Sequence, residues 1–253
     1  MIDIKNVNEI DSMKIGGAML GKALNDAISA VKPGIKEIEI DRIAEKSIRE
    51  QGGEPGFMRV PGYKHTICAA TNEVVVHGIP SERVLKKGDV ICIDCGVFYQ
   101  GFHTDMADTV IVGGPDEAPP EVRKFLSIGE KALWAGIDQA RKGNRVGHIS
   151  KVIQDIVEGE GYYIIRSLVG HGVGRELHEA PEVPGFLSGK IEKTPELIPG
   201  MTIAVEVIYA MGTSEVAYAN NDGWSIKSAD DSLTAVFERS IVITDGDPIV
   251  LTK

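Results

Sequence analysis

The sequence predicts an α+β fold built around a largely antiparallel sheet. Two observations carry that prediction. Helical patterns come in pairs, and each pair is followed by a run of strand patterns, so the order is two helices, strands, two helices, strands. Several of those strands are apolar throughout yet hold an acid near the centre, which a simple half-solvated sheet does not explain.

The first helix follows from Met13, Gly17, Leu20, Leu24, Ile28 and Val31, which line one helical face, and Pro33-Gly34 ends it. A second spans about 38–51, with Ile40, Ile43, Ala44 and Ile48 inward and Gly52-Gly53 as its stop. The texture then changes. HTICAATNEVVVHGIP, DVICIDCGVFYQ and FHTDMADTVIVGG are short and rich in β-branched residues, which reads as strands between polar or glycine turns. After GGPDEAPP the pattern restarts, with a helix over about 120–141 on Val122, Phe125, Leu126, Leu133, Ile137 and Ala140. Another helix covers about 149–158. MTIAVEVIYAMG, GWSIKSA and LTAVFERSIVITD follow as strands. The halves share a helix-then-glycines rhythm, SIREQGGEPGF against DIVEGEGYY, which hints at duplication. GGPDEAPP has the composition of a linker, but a single domain over residues 1–253 is preferred, because the acids come from both halves.

Composition narrows the function. The 253 residues are 43% hydrophobic, an ordinary globular content. With 27 basic against 37 acidic residues the net charge is -10, which argues against a nucleic-acid partner, since phosphate contacts need a basic face. The start, MIDIKNVNEIDSMK, lacks a signal-peptide core, and no run reaches the roughly 18 apolar residues a spanning helix needs. Three cysteines, an odd number, point to a reducing compartment, so cytoplasm is the expected location. Cys92 and Cys95 form a C-x-x-C pair, but residues three apart on a strand face opposite ways, and no second pair follows. They read as packing cysteines rather than a zinc clamp.

The anomaly is Asp94 in VICIDCGVF, Asp105 in FHTDMADTVIV, Glu206 in TIAVEVIYA and Glu238 in TAVFERSIVI. Alternation sets Asp94 beside Val90 and Cys92, Glu206 beside Ala204 and Ile208, and Glu238 beside Val236. An unpaired buried carboxylate costs several kcal/mol. One such acid could sit on an edge strand facing water. Four of them, with too few basic partners, are buried most economically with cations; Arg239 follows Glu238 but points to the other face. Oxygen donors with one imidazole suit manganese, iron, cobalt or zinc. Two ions about 3.5–4 Å apart, sharing carboxylates, form the usual hydrolytic arrangement. His171, in GHGVGRELHEAP, is the nitrogen donor, with Gly170 and Gly172 letting the backbone bring it close to the ions. Simple alternation does not place His178. Glu179, before Pro181 where a turn is expected, reads as solvated.

In the order and spacing of Asp94, Asp105, GHGVGRELHEAP, MTIAVEV and SLTAVFERSIVIT, with TNEVVVHGIP upstream, the chain resembles bacterial type I methionine aminopeptidases of peptidase family M24. The resemblance runs from the first helix to the last strand. It implies the pita-bread fold, with pseudo-twofold symmetry, and a dinuclear hydrolase that removes the initiator methionine from nascent proteins when a small residue follows. By the same resemblance Asp94 binds one metal, Asp105 and Glu238 bridge both, and His171 and Glu206 bind the other. His178 steadies the scissile carbonyl, His77 meets the amide-nitrogen side, and Glu206 accepts the proton of the attacking water. The methionine pocket falls on Tyr63, Cys68, Trp224 and Phe57, with Leu177 at its wall. The implied cofactors are two divalent ions: cobalt, manganese, iron(II) or zinc. The implied partners are N-terminal peptides of nascent proteins. With no N-terminal extension or zinc-finger region expected, any ribosome docking would use the catalytic domain's own surface. His65, His103 and His148 are left as structural or exposed, His103 sharing a face with Asp105.

Three positions depart from the family pattern. Val207 stands where proline usually follows the glutamate, and is expected to loosen that strand. Arg239 stands where histidine is usual. Leu177 replaces a frequent aromatic and is expected to widen or soften the pocket. Two other readings compete: an X-Pro peptidase of the same fold, whose larger members carry an extra N-terminal domain, and a non-catalytic binding module. Such modules typically lose metal ligands, whereas this chain keeps all five.

Overall fold

The computed structural model describes residues 2–253. Among them, α1 (Val7–Ser29) opens with a capping box: the Asn6 side chain accepts from the Asn8 and Glu9 amides, and the Glu9 carboxylate accepts from the Asn6 amide. Gly17 and Gly21 of this helix leave no room for a Cβ, which would strike the Leu251 and Lys253 carbonyls, so the chain's last residues pass directly over them. The second helix, α2 (Glu37–Glu50), buries Ile40, Ala44 and Ile48 together with two acids, Glu37 and Asp41. Both acids are satisfied. Glu37 accepts from the Thr71 and Ser81 hydroxyls at 2.7 Å each, and one Asp41 oxygen accepts from the Thr66 and Ile67 amides.

The strands follow as β1 (Glu54–Pro55), β2 (Ile67–Thr71), β3 (Val74–Val76), β4 (Val90–Tyr99) and β5 (Phe102–Ile111). After α3 (Pro120–Asp138) and α4 (Val146–Gly159) come β6 (Tyr163–Ile164), β7 (Gly170–Gly172), β8 (Glu179–Val183) and β9 (Thr202–Ala210). The chain ends with β10 (Val216–Tyr218), β11 (Ile226–Ser228), β12 (Thr234–Val242) and β13 (Ile249–Val250). The main sheet runs β1-β4-β5-β12-β9-β7-β8, with β2 on β4, β6 on β9 and β13 on β12. A smaller sheet runs β10-β11-β3. The pairings are antiparallel, as the α+β prediction required.

Alternation decides what each face does. Ile91, Ile93, Cys95 and Val97 of β4 pack beneath α1 and α2, while Ile203, Val205, Val207 and Tyr209 of β9 pack beneath α3 and α4. Both helix pairs therefore cover one face of the sheet. The intervening residues, the acids among them, point to the other face. Helix ends differ slightly from expectation: α3 stops at Asp138, and α4 begins at Val146, where the Arg145 amide donates to His148 Nδ1. The turn expected around Pro181 is instead strand β8. Among the described residues no helix is long and apolar enough to cross a membrane.

Candidate active site

The register brings the acids together. Asp94 on β4 lies opposite Ala107 on β5, Ala107 opposite Glu238 on β12, and Glu238 opposite Glu206 on β9. Three carboxylates thus share one row across four strands, with alanine leaving space between them. Asp105, two residues along β5 from Ala107, points the same way and joins them. His171 enters from β7, opposite Ala204.

Gly170 and Gly172 are explained differently from expectation. A Cβ on Gly170 would meet the Ala204 carbonyl oxygen, and one on Gly172 the Ala180 carbonyl oxygen. The glycines let β7 squeeze between two neighbouring backbones; the imidazole reaches the acids because that strand packs so closely. His171 Nδ1 lies 2.8 Å from the Gly172 carbonyl, which can only accept, so Nδ1 carries a proton and Nε2 faces the acids. Nε2 stands 3.3 Å from Glu206 Oε1 and 3.9 Å from Asp105 Oδ2.

Ligand atoms of Asp105, His171 and Glu238 come within 4.8 Å of one another, all buried, and Asp94 stands beside that group. Asp94 Oδ1 and Glu238 Oε1 are buried without a hydrogen-bond partner. Burial, then repulsion from neighbouring carboxylates, drives the pKa values of Asp94, Asp105 and Glu238 upward. Burial is the largest single influence and opposes charge on His171, but the bond and charge of Glu206, the Gly172 carbonyl and the Asp94 charge together outweigh it and raise the pKa. Orphaned oxygens, hard donors and one imidazole fit divalent cations, which would satisfy the oxygens and displace the Nε2 proton.

A cavity of about 170 Å³ opens against these acids. It is lined by every residue the sequence nominated: the four acids and His171, together with His77, His178, Phe57, Tyr63, Cys68, Leu177 and Trp224. Tyr63 Oη donates to the Ile67 carbonyl at 2.7 Å, lies 3.3 Å from Cys68 Sγ, and meets the Trp224 ring edge-on at 5.1 Å. Trp224 is fixed by Asp222, which accepts from its amide at 2.7 Å. Val75, Val76, Ala70, Cys92 and Val236 also line the cavity; alternation marks Cys92 as a neighbour of Asp94 and Val236 as a neighbour of Glu238, while the others resemble ordinary core residues.

His77 sits at φ 55, a left-handed conformation unusual for a residue other than glycine, at the end of β3. Gly78 beside it has no room for a side chain against the Ala69 carbonyl. Burial lowers the His77 pKa, with Glu206 opposing. His178 meets His171 edge-on, with ring centres 4.3 Å apart. Its residue as a whole is exposed, yet desolvation of the packed ring, then His171 and His77, hold it toward the neutral form. Away from the acids, His65 faces Asp41, His148 caps α4, and His103 is buried beside Phe98.

The departures acquire structural meaning. Val207 is fully buried opposite Phe237, so the expected loosening of β9 is absent: the valine fills the helix-side core. Arg239 extends to the helix side and grips Asp108 through two nitrogens, at 3.0 and 2.9 Å. Leu177 closes one wall of the apolar pocket. Glu179 is not a solvated turn residue but pairs with the buried Lys5.

Residues 11–245 match metallopeptidase family M24. The chain is 42% identical over 252 residues to a methionine aminopeptidase of Clostridium perfringens, covering 100% of this chain and 99% of that one. It is 38% identical to methionine aminopeptidase 1 of Bacillus subtilis, covering both fully. The crystal structure of a methionine aminopeptidase from Thermotoga maritima superposes with a TM-score of 0.95 at 35% identity over the whole of both chains. A prolidase from Pyrococcus furiosus shares the fold, with a TM-score of 0.79 at 23% identity, and this chain covers 65% of it. The chain therefore belongs to metallopeptidase family M24 and, within it, to the bacterial methionine aminopeptidases.

Proposed function

We propose that this aminopeptidase removes the initiator methionine from nascent proteins in the cytoplasm, preferentially before a small residue, using two divalent ions of manganese, iron(II), cobalt or zinc. The observation that carries the reading is the row of carboxylates with two orphaned oxygens, set against an apolar cavity that ends in a thiol and aromatic rings. Asp94 would hold one ion, His171 and Glu206 the other, and Asp105 and Glu238 both. When bound, such ions polarise a carbonyl and make water a better nucleophile at neutral pH.

The chain's own residues supply the rest. Tyr63, Cys68, Trp224, Phe57 and Leu177 take the thioether side chain, for which a soft sulfur neighbour and aromatic edges are suited. Glu206 accepts the proton from water. His178, neutral near pH 7, donates a hydrogen bond to the carbonyl oxygen as negative charge builds on it. His77 faces the leaving amide nitrogen.

The test is hydrolysis by metal-stripped protein after each ion is restored, with Met-Ala-Ser, Leu-Ala-Ser and X-Pro peptides. Release of methionine alone, reduced about 10²–10⁴-fold by Glu206→Gln, is the expected result. Cleavage of the leucine or X-Pro peptide instead would show a pocket redirected at Leu177. No cleavage with any ion would refute the reading.

A further inference from the structure

Lys5 lies in the extended segment before α1, far in sequence from the acids, and its side chain is only 1% exposed. Buried lysines are rare unless paired, and pairing here is specific: the ammonium meets the Glu179 carboxylate, with Asp3 at 3.4 Å. Gly174 makes room for it, since a side chain there would collide with the lysine's Cε and Nζ. The Lys5 amide donates to the Gly200 carbonyl at 2.9 Å, which anchors the segment itself.

Glu179 has a second job. Its other oxygen accepts from the Glu176 amide at 3.1 Å, so one carboxylate joins residue 5 to the loop that delivers Leu177 and His178 to the cavity. Arg175, in the same loop, pairs with Asp3 and Glu9. The loop is thus tied twice to the chain's beginning. Well-packed apolar residues often stabilise as well as a buried ion pair does, so stability alone gives little reason for a charge at this depth. What an ion pair adds is direction: it fixes one carboxylate orientation, and with it the backbone that carries the preceding residue, His178.

We infer that Lys5, through Glu179, is a positioning residue that holds His178 where it meets the scissile carbonyl. The inference rests on the aminopeptidase reading. Displacing a reacting group by about 1 Å can cost up to a hundredfold in rate. Lys5→Met keeps the length and removes the charge. It is expected to lower kcat on Met-Ala-Ser about tenfold or more while KM stays within about twofold, because Phe57, Tyr63, Cys68 and Trp224, which make up most of the methionine pocket, lie outside the strapped loop. Glu179→Gln keeps an acceptor for the Glu176 amide and is expected to do the same. The double variant is expected to be no slower than either single one, since all three break one link. Metal-induced stabilisation should match that of the unaltered protein in each variant, which a general loss of structure would not allow. If Lys5→Met fails to fold, Glu179→Gln carries the test. Folded variants with unaltered kcat, or losses that multiply in the double variant, would overturn the strap alone. An unaltered enzyme that releases no methionine would overturn the aminopeptidase reading and the strap with it.

Discussion

Two joints of the main sheet are made in different ways. β4 and β5 pair from Val90↔Ile111 to Tyr99↔Phe102 and turn through Gln100 and Gly101, both at positive φ. Backbone bonds and a local turn fix that register. β5 and β12, more than a hundred residues apart, pair only at Glu238↔Ala107 and Arg239↔Met106 among the described residues. On either side of those pairs, hydroxyls replace backbone bonds. Ser240 Oγ accepts from the Asp105 amide and donates to the Asp105 carbonyl, both at 2.8 Å. Thr109 Oγ1 donates to the Val236 carbonyl at 2.7 Å and accepts from its amide at 3.0 Å. Beneath them, Arg239 and Asp108 clamp the same two strands from the helix side. Two acids, Asp105 and Glu238, sit on the strands of this second joint. Backbone ladders place Asp94 and Glu206, whereas side chains set the spacing where the strands of Asp105 and Glu238 meet.

The contrast can be broken first at the acids. Glu238→Gln should lower peptidase activity more than about a hundredfold, a loss larger than those typical of outer supporting residues. The same change should stabilise the metal-free protein. Glu238 has its folded pKa raised above 4.5 by burial and by Asp105, so its contribution to stability is fully present below about pH 4.5 and lost as pH rises through the folded value. Metal-free protein should therefore gain stability on acidification from pH 7, and the variant should gain less. Urea midpoints at pH 7 and pH 5 measure both.

A smaller effect separates the joints directly. Thr109→Val leaves the Val236 amide buried and unpaired and its carbonyl with only the long Cys92 thiol contact, and should cost about 2 kcal/mol. Thr104, on the same strand, has a buried hydroxyl with no partner, so Thr104→Val should be neutral or stabilising. Equal losses would deny that the β5–β12 joint depends on hydroxyls. Of similar or smaller size is the clamp, in which Arg239 is 12% and Asp108 21% exposed. Arg239→Leu should cost about 2 kcal/mol by stranding Asp108, and Asp108→Ala on top of it should cost little more, since the pair is already broken.

Legibility followed the same division. The helices and the long strands were readable because period and length repeat over many residues, and the acids stood out against apolar strands. β7, β8 and the two-residue strands were not, because so short a stretch has no period. The Lys5–Glu179 pair was hidden by a separation of 174 residues, and Glu179 beside a proline looked like a solvated turn. Ser240 and Thr109 were hidden because a hydroxyl residue in a strand is indistinguishable by type from one that merely fits the pleat. The glycines around His171 signal close approach, but the neighbour they admit is backbone.

Divalent cations would hold the row from Asp94 to Glu206 together. The most direct measurement is the unfolding free energy of the metal-free protein as manganese, iron(II), cobalt or zinc is added. The expected result is a rise of about 2.7 kcal/mol per bound ion at a hundred times its Kd, much diminished in Glu238→Gln. Unchanged stability with all four ions would contradict it.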